Sequence, residues 1–124
     1  MRRLLLSLVI LAGPVVASAH EMSTGPNGGP VVDSSGHHVE MVAKGSELVV
    51  FLTGEGDKPL ASTGAKNARA VVQDEGKTAT VALQPAEPNK LVGSLPQPLG
   101  KGARVVVSAT MADGHAVQAR FVNN

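Results

Sequence analysis

The sequence predicts an all-β fold, an antiparallel β-sandwich of seven strands. Three observations lead there. From residue 37 onward, apolar residues alternate with polar ones or run briefly. Turn-forming residues separate these runs at intervals of about ten residues. No 3.6-residue apolar period, the mark of an amphipathic helix, competes with them.

The chain opens differently. Arg2 and Arg3 precede the apolar run Leu4 to Leu11, and Ala17-Ser18-Ala19 places small residues where a signal peptidase reads. This is the layout of a secretory signal peptide over residues 1–19. The run falls short of the roughly 20 residues a membrane span needs, and Gly13-Pro14 breaks it, so a retained anchor is the weaker reading. With no cysteine anywhere, a lipoprotein anchor is excluded. Residues 20–36, rich in Gly, Pro, Ser and Asn, read as an N-terminal arm: flexible, or an ordered loop across the sheet. Within it, Gly25-Pro26-Asn27-Gly28-Gly29 is a compact turn; with no Lys-Ser/Thr pair it is not a phosphate loop.

The sandwich occupies residues 37–124. HHVEMVAK (37–44) alternates and forms a first strand, which Gly45-Ser46 turns into ELVVFLT (47–53). GEGDKP (54–59) is a loop of turn residues. ARAVVQ (68–73) and KTATVALQ (77–84) are the third and fourth strands, joined through Asp74-Glu75-Gly76. Pro85 to Pro88 interrupts, because proline cannot donate to a ladder. KLVGSL (90–95), ARVVVSATM (103–111) and HAVQARFV (115–122) complete the set. Seven short strands at this spacing suit an immunoglobulin-like or cupredoxin-like sandwich.

Composition excludes several function classes. Removing residues 1–19 leaves 105, and the formal charge changes from +1 to −1 because both leader arginines go. The apparent basicity belongs to the leader, which argues against nucleic acid as a partner. Without cysteine, thiolate zinc sites, thiol redox chemistry and iron–sulfur ligation are ruled out. Phe51 and Phe121 are the only aromatic rings apart from histidine, too few for a stacking platform. No Ser/His/Asp set has supporting spacing, so catalysis is not expected.

What remains is a set of metal donors: His20, His37, His38, Glu40 and His115. Cleavage after Ala19 would give His20 a free α-amine, which titrates near 7.7–8 and yields its proton to a metal at neutral pH. Amine and ring nitrogen then chelate together. Cleavage after Ala17 would place His20 third from the amine, another favourable arrangement. Nitrogen-rich coordination of this kind suits Cu(II) first, with nickel or zinc as further possibilities. Along the strand, His38 and Glu40 share one face, expected to project outward. His37, Val39 and Met41 share the other, expected to face the core. His115 follows a turn and can face either way. Met22 is a potential soft ligand, while Met41 and Met111 read as core fillers.

The stretch GPNGGPVVDSSGHHVEMVAKGSELVVFL, followed by Asp57-Lys58-Pro59-Leu60, resembles small exported domains of heavy-metal efflux systems. In those domains a His-Gly-Pro-(Asn/His)-Gly-Gly loop precedes a His-x-Glu strand, as it also does near the N-termini of periplasmic efflux adaptor subunits. The resemblance is clearest over residues 20–60 and carries His38 and Glu40 over as ligands. It departs at Thr24, where the family has histidine before Gly-Pro. It implies periplasmic metal handling, with an efflux-system component as partner. The expected function is thus a periplasmic, copper-preferring binding protein for metal buffering, delivery or efflux, with no membrane span after processing. The competing expectation is a non-catalytic envelope protein–protein interaction module whose histidines are incidental.

Overall fold

The computed structural model describes residues 23–124. Ten strands occur in chain order: β1 (Ser23–Thr24), β2 (Pro30–Ser34), β3 (His37–Lys44), β4 (Glu47–Thr53), β5 (Lys66–Asp74), β6 (Lys77–Ala82), β7 (Gln84–Ala86), β8 (Lys90–Ser94), β9 (Arg104–Thr110) and β10 (Ala116–Val122). A 3-10 turn at Glu55–Asp57 is the only helical piece among the described residues, and no helix there is long and apolar enough to cross a membrane. The strands form two antiparallel sheets, one ordered β1-β2-β3-β4-β8-β7 and the other β10-β9-β5-β6.

The alternation that predicted the strands also builds the core. On β4, Leu48, Val50 and Leu52 are fully buried; on β9, Val105 and Val107 are; on β10, Val117, Ala119 and Phe121 fill the same layer. Each inward residue skips one position, so the two inner faces interdigitate, while Val49, Phe51, Val106 and Val122 lie on the outer faces of the same strands. The chain crosses between sheets after β4, after β6 and after β8. Leu83 and Leu95, at the second and third crossings, are buried in the core cluster.

The count differs from seven because β1, β2 and β7 are additional. β7 contains Pro85 and still pairs with β8, through Gln84↔Val92 and Ala86↔Lys90. It is the outermost strand of its sheet, where a missing donor can face away from the ladder. β2 and β1 lie within the arm expected over residues 20–36. There the chain is ordered as sheet: β2 pairs with β3 from Val31↔Glu40 to Ser34↔His37, and β1 pairs with β2 through Ser23↔Val31 and Thr24↔Pro30.

Two turns position the site. Ser35 and Gly36 join β2 to β3 with φ of 49° and 86°, a two-residue hairpin whose left-handed conformation matches the twist of the strands. This turn sets His37 at the start of β3. The Gly25–Gly29 turn closes on itself, with the Gly25 N–H donating to the Gly29 carbonyl at 2.8 Å and the Gly28 N–H to the Gly25 carbonyl at 3.0 Å. It lies so close to β3 that a Cβ on Gly25 would collide with the Glu40 carboxyl, and one on Gly29 with the Met41 carbonyl. Glycine at both positions is a steric requirement.

Candidate functional site

Strand alternation divides the β3 donors. Val39 and Met41 are buried in the core, so His37, on the same face, points toward the second sheet. His38 and Glu40 lie on the opposite face. The two faces have different fates.

Glu40 is only 4% exposed, although its face was expected to be open to solvent. The Gly25–Gly29 turn covers it. Its Oε2 accepts the Asn27 and Gly29 backbone N–H groups, both at 2.9 Å, and its Oε1 accepts the Asn27 side-chain amide at 3.0 Å. Both carboxylate oxygens are therefore engaged in fastening the turn to β3. Charge-assisted bonds to buried N–H donors suit an ionised carboxylate and leave it little freedom to move toward an ion. His38, across from Asp33 in the β2–β3 register, has Nδ1 2.5 Å from the Asp33 carboxylate. Both side chains are substantially exposed, at 46% and 77%. That pair resembles a solvated cross-strand contact.

On the inward face, His37 meets His115. The residue before β10 brings its ring to 4.8 Å from the His37 ring, centroid to centroid, with the planes tilted by 34°. His37 thus comes from one sheet and His115 from the rim of the other. The His37 Nδ1 and the His115 Nε2 are both buried, and neither has a hydrogen-bond partner. An orphaned buried polar atom carries a cost that a ligand or ion would remove.

Asp113 defines the chemistry of that second nitrogen. Its Oδ1 accepts the His115 backbone N–H at 3.1 Å and also contacts the His115 Nδ1. A carboxylate on Nδ1 holds the proton there and leaves Nε2 with a free lone pair, the tautomer a metal needs. The Asp113 carboxyl is in turn held below the ordinary aspartate range, chiefly by the His115 backbone N–H and then by its ring. Two imidazole nitrogens without hydrogen-bond partners are donors of the kind a nitrogen-binding metal takes.

No protein-family model, curated protein or solved structure matches this chain.

Of the five donors expected from sequence, the structure brings together two, His37 and His115. It gives His38 and Glu40 partners of their own on the other face. His20 lies outside the described residues, as do Met22 and the cleavage region. Among the described residues no three His, Asp or Glu side chains cluster as a cage. Met41 and Met111 are core fillers, at 2% and 3% exposure. Asp113 was missed as an orienting group, although the Asp-x-His spacing at residues 113–115 was visible. Ser34 was missed too: its hydroxyl accepts the Gln118 N–H at 3.2 Å and ties β2 to β10 beside the histidine pair.

Proposed function

We propose that this chain is an exported transition-metal binding protein, copper-preferring, whose ion sits on the His37–His115 pair. The single observation that supports this reading is the pair of buried, unpartnered imidazole nitrogens on adjacent rings. Structural histidines inside a fold ordinarily find donors or acceptors, because an unsatisfied buried nitrogen costs about 1–3 kcal/mol. Here the second ring is additionally oriented by Asp113, the arrangement that supports metal-bound histidine.

The donor set explains the preference for copper. Imidazole nitrogens without thiolates favour Cu(II) over the other divalent ions, with nickel next. Structural zinc sites take four protein donors, which the described residues do not assemble. An ion held by few protein donors exchanges readily, which fits buffering, delivery or efflux in the periplasm better than permanent storage. A heavy-metal efflux component is the corresponding partner.

The interaction-module reading has less support. Val122 is the one exposed large apolar side chain among the described residues, and an interface without an apolar anchor lacks the usual hot spot.

Competition titration of the secreted, processed protein against a chromophoric chelator tests the proposal with Cu(II), Ni(II) and Zn(II). His37→Ala and His115→Ala should each weaken Cu(II) binding by at least about tenfold. His38→Ala should change it less than about twofold, being on the other face. Equal affinity in the wild type and in a His37→Ala/His115→Ala double variant would overturn the assignment.

A further inference from the structure

We infer that the outer face of the β10-β9-β5-β6 sheet is a docking surface for an acidic, extended protein segment, held by Arg69, Arg104 and Arg120. The surface is separate from the histidine pair and needs no bound ion.

Strand register places the charges. On β9, Val105 and Val107 are buried, so Arg104, Val106, Ser108 and Thr110 face outward. Their partners share that face. On β10, Arg120 lies opposite Val106 and Val122 opposite Arg104. On β5, Arg69 lies opposite Ser108, and Lys66, opposite Thr110, adds a fourth cation. Every arginine of the described residues is therefore on one face, and none of the outward positions on these four strands is Asp or Glu. Asp74 accepts the Gly100 N–H, and Glu75 and Asp113 sit in the hairpin turns at the ends of the sheet.

These charges are uncompensated. The ion pairs among the described residues are His38–Asp33 and His115–Asp113, and no arginine joins them. Arg69 makes one long hydrogen bond, from Nη1 to the Asn67 carbonyl at 3.4 Å. Arg104 and Arg120 are diagonal neighbours, about 7–8 Å apart at Cα, so their like charges repel until an anion lies between them.

Shape and spacing identify the occupant. A groove of about 630 Å³ is lined by Arg104, Val106, Gln118 and Arg120, with Val32 and Asp33 of β2 also on its wall. Alternate side chains of an extended peptide are about 7 Å apart, so an acid-x-acid pair matches Arg104 and Arg120. Arg69 is roughly 12 Å from Arg120, two strand spacings across and two residues along. Side chains stand nearly perpendicular to a sheet, so the three heads spread wider than a single phosphate or carboxylate reaches. A flat bilayer does not fill a groove, and Val122 is the one exposed large apolar side chain available to insert. The planar guanidinium fork takes carboxylates in bidentate fashion. Without an apolar anchor the contact is transient and salt-sensitive.

The test uses the secreted, processed, metal-free protein and a fluorescein-labelled peptide of alternating Glu and Ser, read by fluorescence anisotropy. This peptide should bind, more weakly as salt is added, and its Gln-Ser counterpart should not. Arg104→Glu/Arg120→Glu should weaken binding at least about tenfold, and the milder Arg104→Gln/Arg120→Gln about threefold or more, with the wild-type circular dichroism retained. Lys44→Glu/Lys58→Glu, the same change in net charge away from this face, should alter it less than about twofold. The His37→Ala/His115→Ala variant should bind the peptide as the wild type does, so failure of the metal reading leaves this result legible. Equal weakening by the lysine and arginine pairs would overturn the face, leaving only net charge. No binding of the Glu-Ser peptide, whether or not inorganic phosphate, an oligonucleotide or phosphatidylglycerol vesicles bind, would overturn the acidic segment as occupant. Wild-type affinity in both folded arginine variants would overturn the inference outright.

Discussion

Glu40 shows how far a residue can depart from what its neighbours in sequence suggest. Alternation with Val39 and Met41 places it on the outward face of β3, where a carboxylate is ordinarily solvated. That inference about the face holds, yet the side chain is buried, because a turn thirteen residues earlier lies across it. No local pattern encodes such a long-range cover. The motif did contain a clue: Gly25 and Gly29 are required where the turn approaches β3, and a Gly-rich turn upstream of a strand acid is consistent with that contact. Replacing Glu40 with Ala orphans the Asn27 and Gly29 backbone donors, each costing about 1–3 kcal/mol where water cannot replace the bond. Partial access of water to the turn reduces the sum. The expected loss is about 2–4 kcal/mol, read as a lower urea midpoint at unchanged slope. A loss below about 0.5 kcal/mol, within the range of ordinary surface substitutions, would mean that other contacts hold the turn.

Among the elements, strands that alternate cleanly were legible, and their bounds at β3 and β4 coincide with the expected 37–44 and 47–53. β1, β2 and β7 were not, for distinct physical reasons. β7 places a proline inside a three-residue edge strand, where the usual penalty is avoided. β2 reads PVVDS, with proline first and two polar residues last, so local propensity favours a loop and pairing with β3 overrides it. β1 has two residues and exists through its partner. The same limit applied to His115. Its position before β10 was evident, but only the packing of one sheet on the other reveals that it meets His37. Ser34 is the element-scale device that keeps this rim closed, accepting the Gln118 N–H on the side of β10 away from β9. Ser34→Ala removes that acceptor and should destabilise by about 1 kcal/mol. Hydrogen exchange at the Gln118 amide should accelerate about fivefold or more, with core amides of β9 much less affected. Uniform acceleration across both strands would show instead that Ser34 contributes to global stability and not to the rim.

At the scale of the whole molecule, the site joins the two sheets. His37 begins the third strand of one sheet, and His115 precedes the edge strand of the other, so an ion held by both would cross-link the layers at one end. The chain has no cysteine and hence no disulfide to do this covalently. Its stability depends on a core built largely from Val, Leu and Ala, with Phe121 the one aromatic ring in it. A domain of this size has little stability in reserve, so a ligand bound only by the folded form should have a visible effect. At free copper one hundred times the dissociation constant, linkage contributes about 2.7 kcal/mol. For a domain near 100 residues that corresponds to a rise in Tm on the order of 10 °C. The rise should grow with the logarithm of copper concentration and vanish in His37→Ala, whose metal-free Tm supplies its own baseline. It should persist in His38→Ala, since that ring faces Asp33 on the outside of the same strand. A rise of equal size in His37→Ala would place the copper elsewhere. No rise in the wild type, at concentrations where titration shows binding, would mean that the ion does not distinguish folded from unfolded chain. The two sheets would then not be bridged, because a bridge between them exists only in the folded state.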